Sequence, residues 1–165
     1  MLIARRAAMV GVAMTYATIM TYVDWERNCA HRTKVAVELA VRFDAALIGV
    51  AAGVSGQMPV MPGQIPVTGS LDREAVSLVT HLAEAKSAFL RVTGALPHVH
   101  WRESLDFPTE TLLREARAAD LIVIGRDSTV PASAWPLDVG RFILQAGRPI
   151  FLVPPEIEEV RTRRI

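Results

Sequence analysis

The chain has 165 residues, 51% of them apolar and 21% charged, with a formal net charge of +1 at pH 7. That length suits one domain with one sizeable core, and so even a charge gives no electrostatic argument for nucleic acid or an anionic membrane as partner. A single cysteine, Cys29, excludes an intrachain disulfide and suits a reducing compartment, so a cytoplasmic protein is expected.

The first residues, MLIARR, lead into an apolar run, which is the pattern of a signal peptide. No small-x-small cleavage site follows, however. Thr15, Thr18 and Thr21 interrupt the run, which then meets Asp24, Trp25 and Glu26. A membrane-spanning helix needs about 20 mostly apolar residues. Residues 1–14 therefore read as a flexible extension, with Met9 or Met14 as alternative starts. The domain itself is expected over 15–155, followed by a charged tail over 156–165.

Tyr16 to Val23 is rich in β-branched and aromatic residues and predicts a strand. Residues 28–43 place Val35, Ala36, Leu39, Ala40 and Phe43 at helical spacing on one face. Ala45 to Ala51 is a short continuous apolar run, as in a strand covered on both sides. Residues 52–70 form a long loop rich in glycine and proline. A long helix is predicted from about Leu71 to Thr93, with Val76, Val79, Leu82, Ala83, Phe89 and Leu90 on its apolar side and Gly94 ending it.

His98 to Glu103 alternates with polar residues and predicts a strand near a sheet edge. Thr109 to Ala118 predicts a third helix with Pro108 near its start. Leu121 to Ile124 is the most clearly buried strand. Leu137 to Ala146 predicts a fourth helix stopped by Gly147, and Ile150 to Val153 a last strand closed by Pro154 and Pro155. Strands alternating with helices imply an α/β fold, a parallel sheet with helices on both faces. Right-handed crossovers leave few topologies. The sequence shows no internal repeat and no second domain.

The order of these elements, together with ADLIVIG (Ala119 to Gly125) and QAGRPIFLVP (Gln145 to Pro154), resembles the universal stress protein family over roughly residues 15 to 155. The resemblance implies a five-stranded parallel sheet in the order 3-2-1-4-5, related to the adenine nucleotide α-hydrolases. It implies a homodimer through the last strand, Ile150 to Val153. That short apolar strand would otherwise leave an exposed edge.

Some members of the family bind ATP at the carboxyl ends of the strands. Asp24 matches their acidic residue after the first strand, and Val50 matches their backbone contact from the second. Their phosphates lie on a loop of pattern G-x2-G-x9-G-[ST]. Gly125 matches its first glycine. Ser128 stands at the second, Asp138 or Pro136 at the third, and Val139 or Leu137 at the Ser/Thr position, so three of the four motif positions are missing.

Glycines serve such a loop by letting backbone N–H groups approach phosphate oxygens. Side chains at those points obstruct the approach, and Pro131 and Pro136 remove two donors. Asp138 before the fourth helix uses the dipole and N–H groups that an anion would need. Arg126, Ser128, Thr129 and Arg141 could supply side-chain contacts in compensation, to ATP or to a smaller ligand such as AMP. The plainer reading has Asp138 capping the helix and the loop purely structural. Asp24 too has a plainer reading, as a cap of the following helix or turn, a job for which Asn28 is also available.

Other candidates carry less. His98 and His100 share a strand face but lack a third metal ligand. Cys29 and His31 flank the first helix start, where a thiol can be unusually acidic, yet no partner cysteine or acid–base set accompanies them. Gly53-Val54-Ser55-Gly56 is followed by Gln57 and so is not a nucleophile elbow. No zinc, Walker or paired-carboxylate signature appears. Trp25, Trp101 and Trp135 read as core or rim. Three functional classes stay open. They are a binding and signalling module with an altered nucleotide site, a weak ATPase or hydrolase relative, and an interaction protein with no small ligand.

Overall fold

In the computed structural model the described residues are 16–24, 29–54, 68–94, 96–126 and 136–154, with 68–74 described by backbone alone. The expectations for residues 1–14, for the loop from 55 to 67, for Trp25, Asn28, Ser128, Thr129, Pro131, Trp135 and Pro155, and for the tail 156–165 lie outside them. The strands are β1 (Thr18–Tyr22), β2 (Ala46–Ala52), β3 (Val99–Ser104), β4 (Leu121–Gly125) and β5 (Ile150–Val153). The helices are α1 (Cys29–Phe43), α2 (Thr68–Thr93), α3 (Pro108–Glu115) and α4 (Val139–Gln145). The predicted third helix ends in a 3₁₀ turn, Ala116–Ala118.

The five strands form one sheet in the order β3-β2-β1-β4-β5, parallel throughout. Strand alternation divides the core in two. Ile19, Val23, Leu47, Leu121 and Val123 pack with α1 and α2 on one face. Met20, Tyr22, Ile48, Val50, Ile122 and Ile124 pack with Leu112 of α3 and Phe142 of α4 on the other. The polar edge expected of β3 is observed: His100, Arg102 and Glu103 are exposed. Among the described residues no helix is long and apolar enough to cross a membrane.

Helix α1 buries the predicted Val35, Ala36, Leu39 and Ala40, and with them Cys29, Arg32 and Thr33. Helix α2 departs from expectation. Among its described side chains Leu78, Leu82, Ala85, Phe89 and Thr93 are buried, whereas Val76 (67% exposed), Val79 (56%), Leu90 (47%) and the predicted Ala83 face outward. A helix on a sheet buries only a limited stripe, and Phe89 decides which. Its ring presses on Gly49 of β2, where an added Cβ would stand 2.7–2.9 Å from ring carbons. It also packs on Trp101 of β3 at 5.4 Å between centroids. A residue without a side chain in mid-strand thus sets the rotation of a helix.

The helix ends follow local chemistry. Gly94 (φ 55°) and Gly147 (φ 59°) adopt the left-handed conformation just beyond α2 and α4. Pro108 opens α3, where its missing N–H costs nothing. Asp138 caps α4, its Oδ1 accepting from the Arg141 N–H at 2.9 Å.

Candidate functional site

In this strand order the chain leaves β1 toward β2 on one side and returns to β4 on the other. The carboxyl ends of β1 and β4 therefore diverge into the crevice where open α/β sheets take ligands. Asp24 lies two residues past β1, and Gly125 is the last residue of β4. The fold brings these two predicted residues together, and it adds Arg32 between them.

Arg32 is in the first turns of α1 and is 4% exposed; Asp24 is 5% exposed. Nη2 of Arg32 donates to Oδ2 of Asp24 in a buried ion pair. On its opposite edge the guanidinium lies against Gly125. A Cβ at position 125 would overlap Nη1 and stand 2.9 Å from Cδ and 3.2 Å from Cζ. Arg32 thus spans the carboxyl ends of β1 and β4. Among the described residues its Nε has no hydrogen-bond partner.

Burial makes this pair demanding. A buried charge must be matched by its partner and by hydrogen bonds, since removal from water costs several kcal/mol per ion. Asp24 satisfies Nη2. Gly125 then has a structural reason that involves no phosphate, because any side chain there meets Arg32.

The other predicted residues are placed as follows. Val50 is fully buried within β2, opposite Tyr22, and its carbonyl accepts the Val23 N–H at 2.8 Å. The side chain of Arg126 is exposed, while its N–H donates to the Val153 carbonyl at 3.0 Å. Arg141 binds Glu110 of α3 through Nη1 at 2.7 Å and lines a cleft of about 290 Å³ with Phe107, Pro108, Thr109, Glu110 and Pro136. One N-terminal donor of α4 is met within the fold, since Asp138 takes the Arg141 N–H.

The thiol of Cys29 is buried, and burial together with the Asp24 carboxylate pushes its pKa up to about 11. It is therefore protonated at neutral pH, against the acidity that a helix start can confer. His98 precedes β3 with φ 59° and does not share its pleat with His100. Among the described residues no three His, Cys, Asp or Glu side chains gather to hold a metal. Trp101 donates from Nε1 to Glu103 at 2.6 Å.

Sequence reading missed Arg32, although a signal was there. Positions 29, 32, 33 and 36 share one helical face, and a charged residue on that apolar stripe calls for an opposite charge nearby. Asp24 is eight positions earlier.

No protein-family model matches the chain, and no curated protein matches it. Solved structures do. A universal stress protein of Lactobacillus plantarum is similar at a TM-score of 0.59 and 20% identity, covering 86% of this chain and 99% of that one. A universal stress protein in complex with cAMP is similar at a TM-score of 0.57 and 18% identity, covering 86% and 99%. A universal stress protein of Archaeoglobus fulgidus in complex with dAMP is similar at 0.52 and 23%, covering 84% and 98%. Strand order, crossover pattern and these likenesses agree: the chain has the universal stress protein fold.

Proposed function

We propose that the chain is a cytoplasmic binding and signalling module of the universal stress protein type, not a catalyst. Its adenine-nucleotide site is altered so that ATP and AMP bind weakly or not at all. The observation that carries this reading is the Arg32–Asp24 pair lying on Gly125. The complexes of similar proteins with cAMP and dAMP support an adenine nucleotide as the class of ligand, and the strand order supports the crevice as its place. Its described residues Asp24, Arg32 and Gly125 are engaged with one another. Calorimetry with ATP, ADP and AMP, with and without magnesium, is expected to give dissociation constants of about 1 mM or weaker. Tight, magnesium-dependent binding of ATP would overturn the reading.

The module acts as a homodimer through β5. This strand is at the edge of the sheet and presents Leu152, 40% exposed, beside a row of backbone donors and acceptors that no described strand pairs. Light scattering at micromolar concentration is expected to give twice the 18.0 kDa chain mass. Leu152→Lys is expected to give monomer, since an edge lysine opposes strand pairing. A monomeric wild type would exclude the dimer.

A further inference from the structure

The position that a ligand would need at the β1/β4 crevice is held by the protein's own side chain. Nη2 of Arg32 engages the Asp24 carboxylate, so the acidic group of the crevice is neutralised from within. Nη1 and Cδ lie on the bare backbone of Gly125, so the close approach that a glycine permits is already used. The side chain that does both is 5% exposed.

We propose that Arg32 is a built-in occupant of the crevice and thereby its specificity-determining residue. It competes with any ligand for Asp24 and for the backbone at Gly125. Shortening it opens the crevice to an adenine nucleoside monophosphate. The proposal rests on the altered-site reading and names the residue responsible.

The alternative role, a cation that receives a ligand's phosphate, fits the geometry less well. Nε is on the same edge of the guanidinium as Nη2, the edge that faces Asp24. An anion arriving there meets the carboxylate at close range, and like charges repel. The other edge is closed by Gly125. Among the described residues Nε is without a partner, an imperfectly satisfied buried donor, as expected of a side chain that fills a space shaped by the fold for something else.

The test is AMP binding by calorimetry to the wild type, to Arg32→Ala and to the double variant Asp24→Asn/Arg32→Ala. The double variant is included because Arg32→Ala alone leaves a buried carboxylate unpaired. Arg32→Ala is expected to bind AMP about tenfold more tightly than the wild type, or better, and the double variant, which lacks the Asp24 carboxylate, more tightly than the wild type but by less. Weak binding by the wild type and equally weak binding by the folded variants overturns the occupant and leaves the altered-site reading standing. Tight binding by the wild type that the variants lose makes Arg32 a ligand-binding group and overturns both.

A second measurement uses the wild type alone. Phenylglyoxal followed by peptide mass spectrometry is expected to modify the exposed Arg42 and Arg91 while Arg32 stays protected, with or without AMP. Modification of Arg32 in the folded protein as fast as Arg42 overturns the occupant.

Discussion

Asp24→Ala is expected to destabilise the protein by about 3–5 kcal/mol, because it strands a guanidinium in a site that water scarcely reaches. Arg32 and Asp24 are 4% and 5% exposed, so solvent cannot replace the lost partner. A typical domain has only about 5–15 kcal/mol in total, which makes this a large share for one side chain. Urea unfolding reads it as a lower midpoint at unchanged slope. The charge-free double variant Asp24→Asn/Arg32→Met is expected to lose far less, since removing both charges also removes the desolvation cost. A loss below about 1 kcal/mol for Asp24→Ala, the range of an exposed pair, would mean that the pair is open to solvent in solution.

Gly125→Ala is expected to cost about 1–3 kcal/mol or more, the usual range for overpacking. The added methyl overlaps Nη1 and presses on Cδ at 2.9 Å. Arg32 cannot swing away cheaply, because it would leave Asp24 unpaired. An Arg32→Ala background removes the three atoms that the added methyl would meet first, and there the same substitution is expected to cost much less. The double-mutant cycle then gives a coupling of about 1–3 kcal/mol between positions 125 and 32. This separates two explanations of the glycine. If Gly125 serves only a phosphate's approach, Gly125→Ala spares stability and weakens nucleotide binding, with no coupling to Arg32.

The comparison of sequence with structure divides along a physical line. Element type and position were legible because they depend on neighbours in the chain. The apolar run of β2, the β-branched β1 and the capping residues Gly94, Pro108, Asp138 and Gly147 each act within a few positions. The rotation of α2 was not legible, since Val76 and Val79 are as apolar as Leu78. Gly49 and Trp101, far away in sequence, select the buried stripe by receiving Phe89.

The same division runs through the site. The sequence by itself determined an α/β order of elements, Asp24 beyond the first strand, Gly125 closing the fourth, and the loss of three of the four motif positions that would grip a triphosphate. Only the tertiary structure decided what Asp24 and Gly125 touch. Residues 24, 32 and 125 meet because α1 docks across β1 and β4, long-range packing that the helical stripe carrying Arg32 hints at but does not specify. A charge on a helix stripe is ordinarily solvated. Docking buried this one, and burial made Asp24 its obligatory partner and glycine the residue with room for it.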